Sequence, residues 1–449
     1  MSSGAREATV TIDRLAYGGS GFGRIDGKAC FVPFTAPGDV VRVALNRETS
    51  SYAIAHVLDF VKRSMFRVSP RCAVYSRCGG CHLQHLSYQA QVVAKDEIFA
   101  ESLWRLARVE RDLLDAPLTA EEPWGYRSRI QLKTGSSDGV FHLGFFAPGS
   151  HDVIDLPDGC AIAHPAINRA LTVLRPVAAE FSQRNLLTQI DLAVGDDGML
   201  VILLHSSGPL SQHGVEYWRN RQQQLSPIAG VFLQQGRVGT VSRVFGEERL
   251  TYLLPSFPGD TNVGALRLGF SAGSFSQVNY SQNRAMVRTA LDWWKPRGDE
   301  RVLDLCCGNG NFSLPFARHA GEVIGLETVK RSVADALRNA ALLCVTNTRF
   351  KVMDGAVGLR RFIAAGERFN LVILDPPRSG AAEMVSLLGE MNADKIMYVS
   401  CDPQTLGRDL ATLKKGGYRV VRSCVVDMFP QTYHMESITL LERDNDPAK

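Results

Sequence analysis

At 449 residues the chain is too long for one ordinary core, so two or three domains are expected. Hydrophobic residues make up 45% and charged residues 21%, globular proportions that exclude wholesale disorder. No run of about 18 uninterrupted apolar residues is present, which excludes a membrane-spanning helix, and Met1–Glu7 lacks the apolar stretch of a secretory signal, so a cytoplasmic address is expected. Net charge is only +4, but residues 1–71 hold 10 Lys and Arg against 6 Asp and Glu and carry the whole excess. A small basic module on a near-neutral body suits a polyanion such as nucleic acid.

Residues 7–62 alternate apolar and polar in short bursts, with Gly and Pro at GGSGFG and TAPGD. Short strands with turn signals between them describe a small β-barrel of the oligonucleotide-binding kind. Its Gly-rich turn holds Tyr17 and Phe22 beside Arg14 and Arg24, an arrangement that offers stacking faces next to phosphate partners, although both rings also suit a core.

Cys72, Cys78 and Cys81 follow as Cys-x5-Cys-x2-Cys. In a chain without an export signal, metal binding or catalysis is the better reading of such cysteines than a disulfide framework. Cys160 in PDGCAIAH is the candidate fourth thiolate, and four thiolates hold either zinc or a [4Fe–4S] cluster. Zinc ribbons favour two Cys-x2-Cys pairs and this chain has one, which tilts the spacing mildly towards iron–sulfur. A helical pattern spans roughly Tyr88 to Arg108. Residues 126–260 read as mixed strands with a helix near Pro165–Arg184, an α+β middle domain.

From about Leu268 apolar runs that end in acids or Gly alternate with helical stretches: RVLDLCCGNGNF, EVIGLE, RFKVMD, NLVILDPP and KIMYVSC, then YRVVRSCVVDMF and SITLLER. Near-continuous apolar strands separated by helices mean a parallel sheet covered on both faces. Ligands of such sheets bind at the carboxyl ends of the strands, where the unusual residues fall. Gly308 and Gly310 follow the first strand and permit close backbone approach. Glu327, about twenty residues on, can accept both hydroxyls of a ribose. Asp354 is placed to meet an adenine amino group. The pattern resembles the Rossmann-like class I S-adenosylmethionine-dependent methyltransferases. Amino-group methyltransferases carry an aromatic after a similar Pro-Pro, whereas Arg378 follows Asp375-Pro376-Pro377 here, so methylation of an exocyclic nitrogen is disfavoured. Cys401 ends the fifth strand on the same rim, and His434 and Glu436 open the last strand as candidate bases; Glu436 is preferred, because a partly desolvated carboxylate has a raised pKa suited to proton removal.

The ordered set FSQVN (275–279), DLCCGNGNF (304–312), DPPR (375–378), SCDP (400–403) and HMES (434–437) resembles the RNA uracil-5-methyltransferase family. The upstream barrel resembles a TRAM domain, and the cysteine segment resembles the iron–sulfur motif of the 23S rRNA branch. The resemblance implies a multidomain α/β protein: a TRAM-like, RNA-binding barrel over 1–66, a middle domain with an iron–sulfur cluster over 67–265, and a methyltransferase domain over 266–449. The helix near 88–108 is a candidate to pack on the last of these. It further implies Cys401 as nucleophile and Glu436 as base. Gln277, Cys306, Asn311, Glu327, Asp354 and Asp375 then contact cofactor or target base, and Cys72, Cys78, Cys81 and Cys160 hold a [4Fe–4S] cluster in a structural role. The family often has an aromatic where Cys306 stands. A thiolate is what the reaction requires: carbon 5 of uracil is a poor nucleophile until a thiolate adds at carbon 6, and a base must afterwards take the proton from carbon 5. Structured RNA is the expected partner, 23S rRNA first and tRNA second, with no obligate protein partner evident. A cytosine-5 enzyme uses the same thiolate logic but typically shows Thr-Cys and Pro-Cys contexts. A binding-only ribosome-assembly factor is the alternative from another class.

Overall fold

The computed structural model describes residues 6–137, 139–236, 240–255 and 264–444. The first strands are β1 (Glu7–Leu15), β2 (Gly21–Ile25), β3 (Lys28–Val32), β4 (Val40–Glu48) and β5 (Tyr52–Lys62). They close into a barrel of order β1-β2-β3-β5-β4. Alternation drives the closure, because every second side chain points inward. Val10, Ile12, Val32, Val41, Val43, Ala53 and Ala55 fill the interior, and Cys30 is buried with them as a core residue. The chain then leaves the barrel on a clamp in which Arg67 donates to the buried Asp39 carboxylate at 2.8–3.0 Å.

Helix α1 (Tyr88–Ala107) starts at Ser87, whose side chain accepts from the Ala90 amide, and stops at Arg108 in the left-handed conformation. Val92, Lys95, Phe99 and Ser102, at helical spacing, lie on its buried face. Phe99 and Leu103 pack in one cluster with Leu406, Leu410 and Leu413 of the C-terminal domain. In the same contact the Lys95 ammonium donates to Asp427 Oδ1 at 2.6 Å and to the Phe429 carbonyl at 3.1 Å, with both charged side chains buried. Such a pair orients two elements more than it stabilises them, since both charges have left water.

The middle sheet has seven strands, β6 (Arg129–Ser137), β7 (Val140–Phe146), β8 (Val153–Asp155), β9 (Leu187–Val194), β10 (Leu200–Ser206), β11 (Ile228–Gln235) and β12 (Val241–Gly246), in the order β12-β11-β10-β9-β6-β7-β8. Two helices belong to this region, α2 (Pro165–Glu180) and α3 (Gln212–Arg219). The first ends four residues short of the helix expected to Arg184, where a separate 3-10 turn follows. A hairpin of β13 (Arg249–Leu254) and β14 (Leu266–Ser271) leads to α4 (Tyr280–Trp294).

The C-terminal domain alternates β15 (Arg301–Asp304), α5 (Ser313–Ala317), β16 (Glu322–Glu327), α6 (Lys330–Leu342), β17 (Thr348–Val352), α7 (Gly355–Ala364), β18 (Leu371–Leu374), α8 (Ala382–Met391), β19 (Lys395–Ser400), α9 (Pro403–Lys415), β20 (Tyr418–Val426) and β21 (Glu436–Arg443). Its sheet runs β17-β16-β15-β18-β19-β21-β20. One expectation is corrected here: the sheet is not wholly parallel, because β21 runs antiparallel to both β19 and β20. A β20–β21 hairpin needs no crossover helix, whereas parallel neighbours do, and the helical period vanishes after α9 for that reason.

Candidate active site

Strand order decides the geometry of the site. Asp354, Glu327, Cys306, Asp375, Cys401 and Glu436 lie at, or within two residues of, the ends of β17, β16, β15, β18, β19 and β21, which are consecutive neighbours in the sheet. The six therefore form one row along a single rim, about 24 Å long at the usual strand spacing. Cys306 and Asp375 flank the point between β15 and β18 where the winding direction reverses, the crevice in which open α/β sheets bind ligands. The β19–β21 register pairs Ser400 with Ser437, and one step further sets Cys401 opposite Glu436.

Burial and neighbouring acids set the electrostatics. Burial pushes the partly buried Cys401 thiol up to about 12, reinforced by Glu436, Asp375 and Asp402 and opposed by the Arg378 guanidinium. Burial, then Asp375, holds Glu436 well above the ordinary carboxyl range, with Arg378 opposing. Asp375 is pushed up to about 7 by burial, then by Asp304 and Glu327. Two carboxyls that face each other out of water do not both ionise readily. His434, the other candidate base, is driven down to about 3 by burial and then by Arg378, so its imidazole is neutral and a weak base. Spacing alone did not single out Asp304: buried, it accepts from Ser313 Oγ at 2.6 Å and rises to about 6 through burial. The signal for it was available, an acid closing the apolar run Val302-Leu303.

A cavity of about 290 Å³ opens beside the rim, lined in part by Cys306, Glu327, Thr328, Asp354, Pro377 and Met384. The Gly308 amide donates to Glu327 Oε2 at 3.2 Å, and Gly308 and Gly310 both have positive φ, 53° and 93°, which this tight turn requires. Asp354 also caps α7, accepting from the Val357 amide at 3.0 Å. Gln277, Asn311 and Asp375 are not among the residues lining this cavity. Gln277 is buried in the loop before α4. The Asn311 amide group is engaged by protein: its oxygen accepts from Tyr252 Oη and Asn283 Nδ2, and its nitrogen donates to Asn283. Those partners come from β13 and α4, far away in sequence.

The cysteine segment sits against the same site. Cys72, Cys78, Cys81 and Cys160 line one cavity of about 300 Å³ together with Arg378, Phe429 and His434. All four are free thiols. Burial raises Cys78 to about 11 and Cys81 to about 12, with Cys160 and Cys72 adding to both and Cys78 to Cys81. Among the described residues no group of three or more His, Cys, Asp or Glu side chains is placed to hold a single metal ion. In the barrel, Phe22 is flanked by its own Arg14 and Arg24 at 5.1 and 5.7 Å. Tyr17 is engaged at its hydroxyl, which bonds Asp402, while its ring stays 40% exposed.

A seven-stranded, helix-flanked sheet with this rim, preceded by a closed five-stranded barrel, is the architecture of a class I methyltransferase fused to an RNA-binding module. The family model described as tRNA (Uracil-5-)-methyltransferase matches residues 87–444, and the TRAM domain model matches residues 5–58. The chain belongs to the uracil-5-methyltransferase family. The 23S rRNA (uracil(1939)-C(5))-methyltransferase RlmD of Methylococcus capsulatus is 35% identical over 445 residues, covering 98% of each chain. The RlmD of Alkalilimnicola ehrlichii is 36% identical over 443 residues, 97% of this chain and 96% of that one. Among solved structures, the Pyrococcus abyssi tRNA (uracil-54, C5)-methyltransferase, in complex with S-adenosyl-L-homocysteine, aligns with TM-score 0.72 and 24% identity over 96% of this chain and 99% of that one.

Proposed function

We propose that this protein methylates carbon 5 of a uridine in 23S rRNA. The observation that carries the reading is the row on the sheet rim, which sets a thiol, a buried acid opposite it and a ribose-type acid beside a cavity along one edge. Full-length similarity to RlmD enzymes supports ribosomal RNA over tRNA. Residues 1–66 and 67–265 grip the RNA, and 266–449 carry the chemistry. The cavity lined by Cys306, Glu327 and Asp354 suits S-adenosylmethionine: Glu327 offers its carboxylate to ribose hydroxyls and Asp354 its free oxygen to the adenine amino group. Asn311, with its side chain engaged, contributes through its backbone, while Gln277 and Asp375 contact cofactor or target base from outside this cavity. When bound, the cofactor supplies an electrophilic methyl group.

The protein's own groups do the rest. The target uridine leaves its stack to reach the rim. The Cys401 thiolate adds to carbon 6, placing the ring electrons on carbon 5 and the carbonyl at carbon 4. After methylation, Glu436 takes the proton from carbon 5, the ring double bond reforms and the thiolate leaves. A raised pKa makes Glu436 the stronger base when it is ionised. The test is methyl transfer from labelled S-adenosylmethionine to 23S rRNA and tRNA transcripts, with nucleoside mass spectrometry. The expected product is 5-methyluridine in 23S rRNA. Label only in tRNA overturns the ribosomal substrate, and 5-methylcytidine overturns the target base.

The four cysteines suit a [4Fe–4S] cluster. Zinc ribbons favour two Cys-x2-Cys pairs, and this segment has one, Cys78 and Cys81. Four thiols spread around one cavity match a cluster in which each iron takes its own thiolate. Its role is structural, since nothing in the methyl transfer requires an electron. Anaerobic purification is expected to yield about four irons per chain, lost in Cys81→Ser and retained in Cys30→Ser; stoichiometric zinc instead would overturn the assignment.

A further inference from the structure

The barrel reaches the loop that carries the nucleophile. Its β1–β2 turn lies so close to both other domains that a Cβ on Gly19, at φ 84°, would come within 3.2 Å of Tyr433 Cβ in the C-terminal domain and 3.3 Å of His82 Cβ beside the cysteine segment. Next to it, the Tyr17 ring meets Tyr433 edge-on, with centroids 6.0 Å apart. The Tyr17 hydroxyl donates to Asp402 Oδ2 at 2.5 Å, across 385 positions of sequence. Asp402 immediately follows Cys401. Its other oxygen caps α9, accepting the Gln404 and Thr405 amides at 2.8 and 3.0 Å. One carboxylate oxygen is thus held by the helix that follows the nucleophile, and the other by a different domain. Tyr17 remains 40% exposed, so no core fixes the phenol in place.

The charges facing the Cys401 thiol are Glu436, Asp375 and Asp402, which oppose its ionisation, and Arg378, which favours it. Of the three acids, Asp402 is the one that the barrel touches. A hydrogen bond donated to a carboxylate partly neutralises the accepting oxygen and fixes the direction in which the charge points, which weakens its repulsion of a neighbouring anion. We propose that Tyr17 is a positioning residue for methyl transfer: its hydroxyl holds the Asp402 carboxylate towards the barrel, which lets the Cys401 thiolate form more readily in the docked enzyme. This rests on the reading of Cys401 as nucleophile. It makes the RNA-binding module part of the active-site scaffold, so that displacement of the barrel slows chemistry as well as binding.

The test is the pH dependence of single-turnover methylation by the full-length protein at saturating RNA and S-adenosylmethionine. Rates rise with pH as thiolate forms. Tyr17→Phe is expected to displace this rise upward by about one unit, which is about tenfold slower turnover at neutral pH, with the RNA dissociation constant within about twofold of wild type. Asp402→Asn keeps an oxygen for the helix cap and loses the charge, so it displaces the rise downward, and adding Tyr17→Phe to it produces no further displacement. Superimposable wild-type and Tyr17→Phe profiles overturn the proposal, as does a loss confined to RNA affinity or an equal displacement in the Asp402→Asn background. Cys401→Ala, run in parallel, separates the two levels: if that variant is inactive and Tyr17→Phe unshifted, only the Tyr17 assignment falls. An active Cys401→Ala removes the nucleophile reading beneath it.

Discussion

Replacing Cys401 with alanine is expected to abolish uridine methylation, with a loss of roughly 10⁴-fold or more in single-turnover rate, because no other group can open carbon 5 to attack. The Cys306 thiol cannot substitute. It follows the end of β15, which β18 separates from β19, and two strand spacings put it about 10 Å from the place of Cys401. The change deletes one partly buried sulfur at a strand end, so the fold and the RNA dissociation constant are expected to stay near wild type. Rate and affinity measured on one preparation decide the matter. Undiminished methylation by Cys401→Ala would remove the nucleophile assignment.

Glu436→Gln separates the two halves of the same reaction. Glutamine preserves shape but cannot take the carbon 5 proton, so turnover is expected to fall about 10³-fold. The electrostatics act in the opposite direction on the first step. Glu436 is the largest acidic influence holding the Cys401 thiol up, and its replacement by a neutral amide lets the thiolate form at lower pH. Addition is therefore kept while release is lost, and a covalent protein–RNA adduct accumulates. Denaturing electrophoresis detects it as a slow band that needs both RNA and S-adenosylmethionine to reach stoichiometry with the enzyme. A variant that is inactive and forms no adduct would move the base role to another group.

Much of the catalytic fold was legible because buried strands read as uninterrupted apolar runs. Val302–Leu303, Leu371–Leu374 and Ile396–Val399 are such runs, and the residue that breaks or closes each lies on the rim. Cys401 and Glu436 could be picked out because a thiol and an acid stand where apolar texture stops. The barrel was legible from the two-residue alternation of its inward side chains. Less could be read where one pattern has two outcomes. Tyr17 and Phe22 look alike as exposed aromatics beside arginines, yet one ring is covered by the barrel's own cations and the other bonds the catalytic loop. The Asn311 side chain, assigned to ligand contact, is spent on Asn283 and Tyr252.

Local texture in the chain determined the elements and the chemical identity of each rim group, because strand, turn and helix signals act over a few residues. The order of those groups belongs to the tertiary structure. In sequence they run Cys306, Glu327, Asp354, Asp375, Cys401, Glu436; across the sheet they run Asp354, Glu327, Cys306, Asp375, Cys401, Glu436. That reversal of the first three, the antiparallel return that sets Glu436 against Cys401, and the reach of Tyr17 to Asp402 arise from how helices cover both faces of one sheet and how a separate barrel docks at its rim. Burial of apolar faces between distant segments selects among such arrangements, and no short-range pattern encodes that choice.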